Sequence, residues 1–260
     1  RQDPDGFYGS YRRAKGERPD LYSSCDMALA RVIMGEDFNA TLTPEQRSQW
    51  VRHINLFACK DGVYGDSFGH SRYHANGMVI GALGPLAGKQ AAPVRLYQEF
   101  DTPDKARGWL DAMHWDTQWG GSHAFWGGPH CLSFSAACSQ DWHESVLDWL
   151  DANLDESTGW WRKGVPLSDR HQALGGFVHI VPLYEHHNRA FPYPERVIDS
   201  VLKMQLPNAR WLDHSDANVL TYLELDALYA LRLMGRWAPT YRRDEVIHSI
   251  ERYADAVDKS

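Results

Sequence analysis

The sequence predicts an all-α fold in which helical hairpins stack in two layers, with residues 1–260 in a single domain. Three observations predict it. A short glycine–aromatic phrase recurs along the chain. The segments between its copies alternate between two kinds of helix, one amphipathic and one apolar nearly all round. No run of residues alternates as a half-buried strand requires.

The phrase reads Asp5-Gly6-Phe7-Tyr8-Gly9 and Asp61-Gly62-Val63-Tyr64-Gly65. Weaker copies lie at Gln118-Trp119-Gly120-Gly121, Ser157-Thr158-Gly159-Trp160-Trp161 and Pro207-Asn208-Ala209-Arg210-Trp211. After each copy the sequence predicts a helix rich in small and apolar residues, over 23–34, 72–86, 129–138, 170–186 and 217–234. Before the later copies it predicts amphipathic helices over 44–57, 103–113, 142–154 and 194–204, and a last one over 242–257 closes the chain. Thr43-Pro44-Glu45 and Thr102-Pro103-Asp104 combine an N-cap, a first-turn proline and an acid that favours the helix N-terminus. Over 142–154, Val146, Leu147, Trp149, Leu150 and Leu154 form an apolar face opposite Glu144, Asp148 and Asp151, which is a helix with one wet side. Residues 217–234 are apolar nearly all round and are expected to be covered on every side. Alternation of the two kinds implies inner helices ringed by outer ones. Gly84-Pro85 and Pro182 are expected to end or kink their helices.

At 43% hydrophobic and 23% charged, the composition is that of an ordinary soluble globular chain. The net charge of −7 excludes a nucleic-acid partner, because phosphate neutralisation needs a basic face. No apolar run reaches the ~20 residues of a membrane span; the stretch 218–234 is broken by Glu224, Asp226 and Arg232. Cys25, Cys59, Cys131 and Cys138 form no CxxC pair, so they read as thiols of a reducing cytoplasm. Export is the alternative if a segment has been removed ahead of Arg1. Oligomeric state is not legible in the sequence.

This organisation and the Asp-Gly-aromatic phrase resemble the α/α toroid (α/α barrel) superfamily. That group includes six-hairpin glycosidases, polysaccharide lyases, sugar epimerases and the terpenoid cyclase and protein prenyltransferase folds. The resemblance extends over most of the chain. It implies a ring of about five to six hairpins, of which about five are visible, so the ring is incomplete or completed ahead of Arg1. It also implies that the turns leading from outer to inner helices gather at one end of a central cavity.

Those turns hold Tyr8 and Tyr11, then Tyr64, Asp66 and His70, then Trp115, Trp119, His123 and Trp126, then Trp160 and Trp161, and finally Trp211, His214 and Asp216. Six of the 11 tryptophans fall here, which suits a cleft walled by aromatic faces that stack on sugar rings. Packing into the mouth of the barrel is the alternative role for these rings. The starts of the inner helices add Asp26, Tyr73, His74, His130, His171 and Tyr222. At least two of His74, His130 and His171 are expected to share a pocket, where burial and mutual charge separate pKa values as acid–base chemistry requires. Arg72 and Arg170, at helix N-termini, suit a carboxylate or phosphate, or else pair with Asp66 and Asp169. His70 and His74 have i, i+4 spacing, but no HExxH, CxxC or calcium loop is present, and neither a metal nor another cofactor is expected.

The function expected is a carbohydrate-active enzyme working by acid–base chemistry on an oligosaccharide or other small molecule. Hydrolysis would use Asp26, Asp66 or other turn carboxylates. Elimination from a uronate would use Tyr73, His74, His130 and Arg72. Epimerisation through paired histidines is a third variant. Tyr64, Arg72, Trp119, His123, Trp126, Trp160, Trp161, Arg170, Trp211 and Tyr222 are the expected substrate-binding residues. Two other classes compete. Tyr222-Leu223-Glu224-Leu225-Asp226-Ala227-Leu228 resembles prenyltransferase repeats in leucine and alanine density, though no DxDD or DDxxD motif occurs. A non-catalytic helical-repeat scaffold would present a concave surface of mixed charge.

Overall fold

A computed structural model describes residues 6–65, 70–135, 138–167, 171–211 and 222–259. The fold is all-α, with no strand among the described residues. In chain order the helices are α1 (Leu21–Ile33), α2 (Phe38–Thr41), α3 (Pro44–Asn55), α4 (Arg72–Leu83), a 3-10 turn (Arg95–Glu99), α5 (Pro103–Ala112), α6 (Gln118–Phe125), a π-turn (Trp126–His130), α7 (Cys131–Ser133) and α8 (Gln140–Ala152). They continue with α9 (Gln172–Ile180), α10 (Pro182–His186), α11 (Pro194–Met204), α12 (Tyr222–Trp237) and α13 (Arg243–Asp258). The chain forms two compact units, the first of Arg1–Trp109 with His123–Trp142 and the second of Leu110–Ser122 with His143–Ser260.

In the first unit α1 packs on α3 and α4, and α4 packs on the π-turn. Capping starts these helices: the Asp20 side chain accepts from the Ser23 backbone N–H, and Thr43 and Gln46 form a reciprocal capping box. The core gathers around the fully buried Trp50, with Tyr11, Leu21, Cys25, Phe38 and Ile54 beside it. Small residues let α4 approach its neighbour closely. A Cβ on Gly127 would lie 1.6 Å from the Tyr73 carbonyl oxygen, and a Cβ on Gly77 would lie 2.5 Å from the Trp126 ring. The buried Asn76 spans that contact, donating to the Gly127 carbonyl at 2.7 Å.

In the second unit α12 packs on α9, α11 and α13. Trp161, Phe177, Tyr184 and Phe191 form its aromatic core, with ring centroids 5.2–6.2 Å apart. Pro182 breaks the predicted helix into α9 and α10 because it offers no N–H to continue the ladder. Gly84 likewise follows the end of α4 at Leu83, as the Gly84-Pro85 pair predicts.

The recurring phrase is a helix-closing turn. Cys59 N–H donates to Val63 O, Asp155 N–H to Trp160 O and Leu206 N–H to Arg210 O, at 2.7–2.8 Å. In each turn one residue adopts left-handed backbone: Gly62 at φ 80°, Gly159 at 73° and Ala209 at 69°. The aromatic ring two positions later folds back on the helix just ended. Tyr64 donates its hydroxyl to the Asn55 side chain, Trp161 its indole N–H to Leu150 O and Trp211 its indole N–H to Val201 O. Trp115 does the same to Leu110 O. Last-turn carbonyls of α5, α8 and α11 thereby gain a donor that the helix itself cannot supply.

Some elements differ from expectation. Gln118-Trp119-Gly120-Gly121 is helical and opens α6: its glycines serve close packing, since a Cβ on Gly121 would lie 2.8 Å from His114 O. Residues 129–138 do not form one helix. Pro129 lies inside the π-turn, where its missing N–H favours a widened turn, and regular helix ends at Ser133. At the N-terminus the left-handed residue is Gly9 and the buried ring Tyr11, so the phrase is shifted in register from Gly6. α12 is not covered all round, because Leu225 is 67% exposed. Residues 217–221 lie outside the described residues.

Candidate functional site: a histidine cluster on α1, α4 and α6

Three segments of the first unit bring imidazoles, a phenol, a carboxylate and an indole together. α1 contributes Tyr22 and Asp26, one turn apart on one face. α4 contributes His74 in its first turn, fixed there by the Ser71 cap, whose hydroxyl accepts from the His74 backbone N–H. His70 precedes that cap. The end of α6 contributes His123, and the π-turn contributes Trp126.

The rings pack in a stack. His70 and His74 lie nearly parallel with centroids 4.4 Å apart, and His123 stands edge-on to His74 at 5.0 Å. Tyr22 is parallel to His74 at 5.6 Å, and its hydroxyl is hydrogen-bonded to His74 Nδ1 at 2.7 Å. Trp126 lies 5.5 Å from His74, its ring tilted by 54°. His70 and Asp26 are exposed while the other rings are half-buried, so the cluster opens to solvent along those two residues.

Burial favours neutral forms here. It pushes His74 down to about 4, with His123 and His70 adding like-charge repulsion. His123 is lowered by burial and then by His70. The Asp26 carboxyl is raised by the partial burial of its site and by Asp20, with His70 opposing. A neutral imidazole hydrogen-bonded to a phenol can accept a proton on one side and relay another. Among the described residues no group of three or more His, Cys, Asp or Glu is arranged to hold a metal ion.

The other expected site residues are placed as follows. Tyr73 turns away from His74 and packs on Phe100 and Trp109, with its hydroxyl donating to Glu99. Burial and Glu99 push that phenol up to about 12. Arg72 is ion-paired with Asp61. Tyr64 is buried in the closing turn. His130 lies about 10 Å further along the helical run than His123, with its ring against Phe134. Asp66 and Arg170 lie outside the described residues, as do Asp169, His214 and Asp216.

The remaining residues belong to the second unit. His171 stands just ahead of α9. The Trp119 backbone N–H donates to the Gln172 side chain, and its ring packs on Tyr222 at 4.5 Å. Trp160, Trp161 and Trp211 are at most 9% exposed, so their faces are taken up by the core.

Tyr22 was not among the site residues expected from sequence, although a signal was present. Tyr22 and Asp26 open α1 with the same i, i+4 spacing that Tyr222 and Asp226 have at the start of α12. No family profile, curated protein or solved structure matches this chain.

Proposed function

We propose that this chain is a carbohydrate-active enzyme that cleaves a uronate-containing glycan by elimination, with His74 as base and Tyr22 as proton donor. One observation carries the reading: a neutral imidazole and a phenol in hydrogen-bond contact, flanked by two more imidazoles and a half-buried indole. His74 takes the proton α to the uronate carboxylate. The electron pair forms the ring double bond as the glycosidic C–O bond breaks, and the leaving oxygen takes the Tyr22 proton. His70 and His123 stand beside His74 and would supply N–H groups to the carboxylate, while Arg72 is ion-paired with Asp61. Trp126 offers a face for stacking on the sugar.

Hydrolysis calls for two carboxyl groups across the bond, whereas Asp26 is the carboxylate beside these rings among the described residues. We read the same packing as part of an α/α toroid. In each unit helices rich in small residues pack side by side, α1 with α4 and α9 with α12, and amphipathic helices pack against them.

The test is incubation with polygalacturonate, alginate and neutral glycans, following the ultraviolet absorbance of an unsaturated product. Growth with a uronate polymer, lost in His74→Ala, is the expected result. Reducing ends without unsaturation would move the assignment to hydrolysis. Binding without turnover would favour a scaffold, and isoprenoid diphosphate turnover a terpenoid enzyme.

A further inference from the structure

α4 carries a second feature at its other end. Ile80, Leu83 and Gly84 of its last turn and cap line a cavity of about 660 Å³ with Lys89, Gln90, Tyr97, Cys131, Phe134 and others. That volume falls within the roughly 300–1,000 Å³ of small-molecule sites. All of these residues belong to the first unit. His74 lies six residues before Ile80, about 9 Å along the axis.

The lining is divided by chemistry. Ile80, Leu83 and Phe134 make an apolar wall, and Phe134 remains 51% exposed on the rim. The polar part of the lining is held in place by the buried Asn76. Gln90 donates its amide to Asn76 Oδ1 at 2.9 Å, and Asn76 Nδ2 donates to the Tyr97 hydroxyl oxygen at 3.1 Å. Because that oxygen serves as acceptor, the Tyr97 proton is left to donate elsewhere. Burial raises the Tyr97 phenol far above its ordinary range, so it stays a donor. Among the described residues Lys89 is the one charged side chain of the lining, with no acid beside it there.

We propose that this cavity binds a small amphipathic carboxylate, its head on Lys89 and the Tyr97 hydroxyl and its apolar body along Ile80, Leu83 and Phe134. A neutral ligand would leave the exposed Lys89 ammonium to water and gain nothing from its charge. A sugar would leave the apolar wall without a partner. The site is separate in position and chemistry from the histidine cluster, and it does not depend on the uronate reading.

Octanoate and octanol, titrated calorimetrically into the full chain, test it. One octanoate per chain is expected, with octanol weaker by about tenfold or more, the ratio a charge-assisted hydrogen bond supplies. Lys89→Met, at an exposed position, should bring the two ligands to equal affinity. Ile80→Trp should weaken both. His74→Ala should bind octanoate as the parent does. Absence of saturable octanoate binding, equal binding of octanoate and octanol by the parent, or an undiminished preference in Lys89→Met would overturn the proposal. Loss of octanoate binding in His74→Ala would move the ligand to the histidine cluster and overturn it equally.

Discussion

The starts of α1 and α12 use the same spacing to different ends. Each carries a tyrosine in its first turn and an aspartate one turn later, Tyr22 with Asp26 and Tyr222 with Asp226. Beside each tyrosine an aromatic system is seated against a glycine-bearing helix. Trp126 lies over Gly77 near Tyr22's cluster, and Trp119 lies over Gly175 beside Tyr222. Around Tyr22 the neighbours are imidazoles, and burial keeps His74 neutral as a base. Tyr222 packs against the indole of Trp119. Burial, with Glu224 adding repulsion, pushes the Asp226 carboxyl up to about 7, so the local titrating group is an acid. One helical frame thus carries either proton-accepting or proton-holding chemistry, according to what surrounds the tyrosine.

If the two regions differ in this way, their mutants separate. The largest effect is expected for His74→Ala. Removing a general base lowers turnover by roughly 10²–10⁴-fold, while the melting temperature should move by no more than the ~2–4 °C that about 1 kcal/mol produces at this size. Asp226→Asn should leave turnover within about threefold. Kinetics on a uronate polymer, with thermal melts of both variants, check the pair. Equal losses in the two would erase the contrast.

Next in size are the glycines beneath the indoles. An added Cβ would meet the Trp126 ring at 2.5 Å from Gly77 and the Trp119 ring at 2.7 Å from Gly175. Gly77→Ala and Gly175→Ala should each destabilise by about 1–3 kcal/mol, the usual consequence of overpacking, as read by urea denaturation. Gly77→Ala alone should also lower kcat, because the ring it displaces borders His74. The phenols sharpen the same comparison. Tyr22→Phe removes the proposed proton donor and should slow turnover by roughly 10²-fold, the low end for a general acid, whereas Tyr222→Phe should leave it unchanged.

Much of the fold was legible because helix boundaries are written locally. Thr43-Pro44 and Pro194 fix where α3 and α11 begin, and Pro182 where the ladder breaks. α6 was illegible because Gly120-Gly121 has two physical uses, as a turn or as a close-packed helix surface, and only the neighbouring backbone decides between them. The aromatic phrases were recognised, but their role was not. A tryptophan after a helix can face a ligand or return its N–H to the last turn. Trp161 and Trp211 do the second, which depends on a left-handed residue two positions earlier. His74 and His123 were legible as candidates by residue type. Their meeting with Tyr22 joins segments far apart in the chain, and no local pattern records it.

The smallest effect, and the one that separates His74 from Asp226 by sign, is the pH dependence of stability. His74 has a folded value of about 4, below its ordinary 6.5, and the half-buried His187, beside His143 and His186, is also lowered to about 4. Below pH 6.5 the unfolded chain binds protons that the folded chain does not, so these groups make stability fall as pH drops toward 4. Asp226 runs the other way. Its folded value of about 7 lies above the ordinary 3.8, so the folded chain keeps a proton that the unfolded chain has released. Its contribution therefore falls as pH rises from about 4 to 7. Urea denaturation across pH 4.5–8 should show that His74→Gln weakens the acid-side loss and Asp226→Asn weakens the loss toward neutrality. Slopes that respond to both variants in the same direction would mean that the two helix starts hold their protons alike, and the contrast drawn from their surroundings would fail.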